Sequence, residues 1–149
     1  MNGSDDWATP PDVFARLNER FGFTLDAAAS PANAKCERYF TPAENGLSQS
    51  WAGERVWCNP PFSDIILWIR KAWDEWQSGA KTIVMIVPAN RTDRTWWHEH
   101  VEPFRDLRSP ALRVEFLRGR VYFIRPGADP DADGERPEFG CCLLIWRDW

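Results

Sequence analysis

Apolar positions along this chain recur with two different periods. Val13, Phe14, Leu17 and Phe21 fall at helical spacing, as do Ile65, Ile69, Trp73 and Trp76. Val56-Trp57-Cys58, Thr82 to Val87 and Gly140 to Trp146 are instead continuous apolar runs of the kind buried strands show. The first helix is expected to begin at Thr9-Pro10-Pro11-Asp12, with Thr9 as N-cap and Pro10 at the first helical position, and to stop at Gly22. The second begins at Ser63 or Asp64, leaves Trp68 off its apolar stripe and closes at Gly79. Between them, Phe23 to Asp26 reads as a short strand, Pro31 to Tyr39 as a two-turn helix, Tyr39-Phe40 as a minimal strand and Thr41 to Gly46 as a loop. Residues 113 to 124 read as two strands around a glycine turn or as one bulged strand, and Gly140 to Trp146 as a buried strand antiparallel to it. Strands and helices alternate. The expected class is therefore α/β, a mostly parallel sheet with helices on both faces and an antiparallel C-terminal hairpin.

The stretch that stands out chemically is Asn59-Pro60-Pro61-Phe62, which follows a strand directly. Two prolines stop ladder formation there and hold Asn59 and Pro60 extended, just past a strand end, where open α/β sheets bind ligands. The Asn59 side-chain oxygen and the Pro60 carbonyl can each accept an N–H from one exocyclic amine, while Phe62, read as exposed, stacks on the ring bearing it. Such a trio suits a nucleobase edge, although Asn-Pro-Pro is also an ordinary turn former. Asp26 likewise closes a strand, beside the small residues Ala27, Ala28 and Ala29, where a carboxylate suits a cationic amino group. Glu44 and Asn45 follow the next short strand and could hold ribose hydroxyls or a base, or simply form a tight turn with Gly46.

Asn59-Pro60-Pro61-Phe62 resembles the Asn/Asp-Pro-Pro-Tyr/Phe motif of S-adenosylmethionine-dependent amino-methyltransferases. Trp7-Ala8-Thr9-Pro10, Leu25 to Ser30, Lys35-Cys36, Asn45-Gly46-Leu47 and Trp51 are similar in order and spacing to the small phage-type DNA N6-adenine methyltransferases, so the resemblance runs from about Trp7 to Phe123. It implies a reduced Rossmann-like methyltransferase fold and transfer of a methyl group from S-adenosylmethionine to a flipped adenine in double-stranded DNA. Asn59, Pro60, Pro61 and Phe62 would be the catalytic group. Trp7, Thr9, Pro10, Asp26, Ala27, Ala28, Ala29, Glu44 and Asn45 would hold the cofactor, with the Trp7 segment across its methionine end. The sequence departs from the usual pattern in having alanines where such cofactor loops carry glycines, and alanine permits close approach but not a positive φ. Two other readings stay open: the same chemistry on cytosine N4, RNA adenine or a protein glutamine, and a catalytically silent nucleic-acid-binding module.

A chain of 149 residues is one domain's worth, with no room inside it for a separate target-recognition domain, and a homodimer is one way so small a unit would grip a duplex. No apolar run approaches membrane-spanning length and no leader-like segment opens the chain, so the expected location is cytoplasmic. Cys36, Cys58, Cys141 and Cys142 lack metal-site spacing and read as reduced core residues. The net charge of −4 is unusual for a nucleic-acid enzyme, but residues 81 to 125 hold nine basic and five acidic residues, a local excess of +4. Within that quarter Arg91, Arg94 and Trp96, in a run where bases alternate with aromatics, and Arg118 and Arg120 are the expected nucleic-acid contacts. No metal is expected: His98-Glu99-His100 lacks a third spaced ligand, and Asp129-x-Asp131-x-Asp133-Gly134 has Gly140 where a calcium loop needs Glu.

Overall fold

The structure, a computed structural model, describes residues 7–124 and 138–149. Six strands form one sheet, β1 (Leu25–Asp26), β2 (Arg38–Tyr39), β3 (Arg55–Cys58), β4 (Thr82–Pro88), β5 (Leu112–Tyr122) and β6 (Glu138–Arg147), in the order β2-β1-β3-β4-β6-β5. The β1–β2, β1–β3 and β3–β4 pairs are parallel, and β4–β6 and β6–β5 are antiparallel. The expected mostly parallel sheet with an antiparallel hairpin at its end is therefore present. β4 lies between β3 and β6 with all seven residues buried, as its unbroken β-branched run requires.

Period-two alternation on β3 and β4 divides the interior into two cores. Val56, Cys58, Ile83, Met85 and Val87 face α2 (Ile65–Gln77) and α3 (Thr95–His100). Trp57, Val84 and Ile86 face the opposite way, onto Phe14, Leu17 and Phe21 of α1 (Pro11–Phe21). Helices thus cover both faces. α1 ends as its sequence indicates, Gly22 taking φ +62 and donating its N–H to the Asn18 carbonyl at 2.8 Å.

Several local expectations give way to tertiary demands. Pro31 to Glu37 forms turns and bends leading into β2, not a helix, and the Lys35 N–H goes to the buried Asp26 carboxylate at 3.0 Å and not to an i−4 carbonyl. Thr9 does not cap α1; Pro10 holds the N-cap position and Pro11 the first helical one. Trp68 belongs to the buried face of α2 with Ile65, Ile69 and Ala72, stacked on Trp51 at 6.4 Å, while Trp73 and Trp76 sit half-buried at its margins. The apolar face is rotated toward the i+3 positions because Trp51, fully buried, needs a flat partner. Of the two readings of residues 113 to 124, the bulged strand is the observed one, with a register shift between Phe116 and Arg120.

The expected positive quarter is partly neutralised from within. Glu102 accepts from Arg105 Nε at 2.7 Å and Nη2 at 3.0 Å, from Arg108 at 2.9 Å and from the Trp97 indole at 3.0 Å. Those bonds hold its carboxyl well below the usual range. Arg105 and Arg108 are thereby structural cations that brace the approach to β5.

Candidate active site

The parallel strands deliver their chain reversals to one end of the sheet, and there a cavity of about 370 Å³ opens. Its wall is drawn from four segments. Trp7, Ala8 and Thr9 come from the N-terminal stretch, Asp26 to Pro31 with Asn33 and Lys35 from the chain after β1, Thr41, Pro42 and Asn45 to Leu47 from the loop after β2, and Asn59, Pro61 and Asp64 from the end of β3. Trp57 and Trp68 add apolar wall.

Asn59 is half-buried, and its side-chain nitrogen donates to the Trp7 carbonyl at 2.8 Å. Committing the NH₂ group to the N-terminal segment turns the amide, so that the acceptor oxygen is the end left for a ligand. Trp7 is in turn held because Ala8 and Ile124 exchange two backbone hydrogen bonds, at 2.9 and 3.0 Å.

Asp26 is 3% exposed and carries the most demanding charge in the cavity wall. Burial pushes its carboxyl up to about 6, against partial relief from the backbone N–H groups of Lys35 and Ala28. Two buried hydroxyls in the same wall, Thr9 Oγ1 and Ser30 Oγ, have no hydrogen-bond partner among the described residues. Orphaned polar atoms in the wall of one cavity are groups a polar ligand would satisfy.

The alanine loop resolves the missing-glycine problem in an unexpected place. None of Ala27, Ala28 and Ala29 has a positive φ, so the loop does not need glycine's freedom. The close approach is instead made by Gly46, where a Cβ would lie 2.1 Å from the Ala27 carbonyl oxygen. Asn45 enters that contact at φ +59, its side-chain oxygen accepting from the Leu47 N–H at 3.2 Å.

Most of the sequence-expected cofactor residues therefore converge: Trp7, Thr9, Asp26, Ala27, Ala28, Ala29 and Asn45 all line this cavity, together with Asn59 and Pro61. Others do not reach it. Pro10 is the buried cap of α1, Pro60 is buried behind the wall, and Glu44 is exposed, accepting from the Thr41 N–H and hydroxyl at 2.8 and 3.0 Å. Phe62, read as exposed, is half-buried and packs edge-on against Phe123 and Phe139 at 5.9 and 5.6 Å. Lys35, Ser30, Asn33 and Asp64 are cavity residues that sequence reasoning did not assign. The expected helix over Pro31 to Tyr39 concealed Lys35 and Asn33, although Ser30 and Lys35 already stood in the resembling text.

The expected nucleic-acid residues separate. Arg118 and Arg120, both exposed, line a second cavity of about 210 Å³ between α1 and β5, with Arg16 opposite. Arg91 is half-exposed just past β4, and Arg94 is exposed beside Asp93 at 3.9 Å. Trp96 is buried in the core, so its ring is not offered to a base. Among the described residues no three metal-ligating side chains converge, and Asp129, Asp131 and Asp133 lie outside those residues. All four cysteines are free thiols, Cys58, Cys141 and Cys142 buried and Cys36 half-buried. No helix among the described residues is long and apolar enough to cross a membrane.

The family model for DNA N-6-adenine-methyltransferase (Dam) matches residues 1–149. The chain belongs to the Dam family. Among its relatives, the DNA N-6-adenine-methyltransferase of Escherichia phage T1 is 36% identical over 97% of this chain, and that of Haemophilus phage HP1 is 34% identical over 87%. A putative methyltransferase of Escherichia coli, YfdM, is 38% identical over 39% of the chain. The chain spans 63% of the length of the T1 relative and 72% of the HP1 one. For a Dam family member, the site's donor set fits an adenosyl-amino-acid cofactor: a buried acid, two unsatisfied hydroxyls and flat apolar wall in one cavity.

Proposed function

We propose that the chain methylates the N6 amino group of adenine in double-stranded DNA with S-adenosylmethionine as donor. The observation that carries this reading is the meeting, in one cavity, of Asn59 with its amide nitrogen already committed and of Asp26 with the orphaned hydroxyls of Thr9 and Ser30. When bound, the donor supplies an activated methyl group on a sulfonium, so the protein needs no nucleophilic side chain of its own. The Asn59 side-chain oxygen accepts an N6 hydrogen, which draws electron density onto the nitrogen and aims its lone pair into the cavity. Asp26 neutralises a cationic group at the far end, and Trp57 and Trp68 exclude water from one side.

The adenine reaches Asn59 by leaving the duplex, at an expected cost of a few kcal/mol in stacking and pairing. Arg118, Arg120 and Arg16 around the second cavity are the phosphate contacts this reading favours, with Arg91 and Arg94 nearer the end of β4. The test is transfer of labelled methyl from S-adenosylmethionine to mixed-sequence duplex DNA, with nucleoside analysis of the product. Labelled N6-methyladenine supports the reading. Label on cytosine N4, on RNA or on protein would move it to another amine, and donor binding without transfer to any acceptor would leave a silent binding module.

A further inference from the structure

We infer that the duplex-binding surface continues from Arg118 and Arg120 along the groove between α1 and β5 to a second basic centre at the opposite end of the sheet, where Arg113 and Arg147, stacked on Trp149, grip the phosphate backbone flanking the target base. The inference rests on the double-stranded DNA reading above and adds three residues and a footprint to it.

β5 and β6 place these arginines on one face. Arg113 and Glu115 stand opposite Ile145 and Leu143, which pack in the core beneath α1, and Arg147 follows Ile145 at the two-residue period of β6. α1 lies along the same face, contributing Arg16 beside Arg118 and Arg120, and Arg20, ion-paired with Glu115 at 2.7 Å. The second centre is remote from the large cavity. Arg147 pairs with Thr82 where β4 begins, whereas the cavity opens at the end where the parallel strands finish.

What sets Arg113 and Arg147 apart is how they are held. The Arg113 guanidinium lies 4.3 Å from the centre of the Trp149 ring, and that of Arg147 lies 5.3 Å from the same ring and 5.7 Å from the ring of Phe21. A guanidinium stacked on a ring is fixed through its face, which leaves the N–H donors at its edge for another partner. Arg105 and Arg108 are the contrast, since Glu102 takes their donors. No carboxylate among the described residues pairs with Arg113 or Arg147. Trp149 is 42% exposed and Arg113 is exposed beside it, so the stack faces solvent.

Charge and length identify the partner. Asp12 at 4.0 Å and Glu115 offset Arg16 and Arg20, but Arg113, Arg118 and Arg147 have no such acid, so this face is basic on a chain whose net charge is −4. Arg113 and Arg120 are seven residues apart on β5 (120 minus 113), roughly 20 Å at about 3.3 Å per residue, which matches about six base pairs at about 3.4 Å each. A track of cations along a strand fits a stiff rod bearing regular charges, and contacts of this kind fix position without reading sequence.

The experiment is titration of the native chain with a mixed-sequence duplex of about two helical turns over a fourfold range of salt. Arg113→Gln/Arg147→Gln is expected to reduce the slope of log affinity against log salt by about 2, so that its affinity falls about tenfold less than the native chain's over that range, with S-adenosylmethionine affinity unchanged. An unchanged slope in the folded double variant would overturn the inference. Arg113→Lys/Arg147→Lys is expected to keep the slope; a loss there too would assign the effect to packing on Trp149 and overturn it. Single-stranded RNA bound more tightly than duplex, with the same loss of slope, would move the surface to RNA and overturn the duplex assignment. In the native chain, duplex is expected to protect Arg113 and Arg147 from phenylglyoxal, read by peptide mass mapping. Labelling of both at the free rate in the bound chain would overturn the inference without any variant, so a double variant that fails to fold does not shield it. A native chain that binds no duplex would instead overturn the DNA reading itself.

Discussion

The two sides of the sheet are built on opposite plans. On the parallel side β1 and β2 have 2 residues each, β3 has 4 and β4 has 7, and the first three release the chain at one end into segments that wall the large cavity. On the antiparallel side β5 and β6 run for 11 and 10 residues, bury β4 and present arginines. Short parallel strands cost ladder hydrogen bonds but bring several chain reversals to one place; long antiparallel ones give up loops for register. The large cavity and the longest ladders thus lie on different sides of the sheet.

Disabling the parallel side should remove chemistry and leave the fold. Asn59→Ala is expected to lower kcat by roughly 10²–10³, in line with removal of one preorganised polar group at a reacting centre, with donor affinity retained. Single-turnover transfer beside donor titration checks it. Loss of donor binding as well would mean that the Trp7 contact, and not the amide oxygen, is what Asn59 supplies.

Asp26 sharpens the comparison because its burial puts function and stability in opposition. A carboxyl raised from 3.8 to about 6 in the folded chain contributes stability that is complete below pH 3.8 and is lost as pH rises through about 6. The span corresponds to about 3 kcal/mol at most, so Asp26→Asn is expected to raise stability at pH 7.5 by up to that amount and to have little effect near pH 4, read by urea melts at both values. Donor affinity should move the other way. A cationic group prefers the ionised acid, so affinity in the native chain falls below pH 6 while that of Asp26→Asn is flat and weaker.

Gly46→Ala tests whether the parallel side tolerates any loosening. Its Cβ would meet the Ala27 carbonyl at 2.1 Å, backbone that cannot yield cheaply, and overpacking of this kind costs roughly 1–3 kcal/mol. Urea unfolding should shift accordingly, with weaker donor binding. An unchanged chain would show that the loop after β2 is not tied to the end of β1.

The smallest effect belongs to the antiparallel side. Arg118→Ala is expected to reduce the slope of log affinity for DNA against log salt by about 1 while donor affinity stays constant. An unaltered slope would move the phosphate contacts to Arg91 and Arg94.

Legibility in the sequence divides along the same line. β4, β6 and α1 could be read from periodicity and punctuation because each is long enough for its own pattern to decide it. The turns from Pro31 to Lys35 could not, since a buried carboxylate elsewhere in the chain recruits their backbone. Asn59 and Asp26 were legible as strand-end polar residues; Ser30 and Asn33 were not, because a hydroxyl or amide in a turn looks the same whether it faces water or a cavity. Trp68 was misplaced by one helical step, for its partner Trp51 lies outside the helix that any stripe can see. Phe62 shows the converse limit: motif resemblance marks a ring as important, but which neighbours it packs on is decided by Phe123 and Phe139, far along the chain.

The reciprocal hydrogen bonds between Ala8 and Ile124 span a sequence separation of 116 residues (124 minus 8). A contact so distant in the chain is slow to find, because loop closure must be met before it returns anything. During synthesis the Trp7 segment emerges first, yet its partner at Ile124 emerges only after the whole of β1 to β5. The wall of the cavity that Trp7, Ala8 and Thr9 supply is thus among the last parts to close, and a chain halted before Ile124 holds four parallel strands around a half-built site.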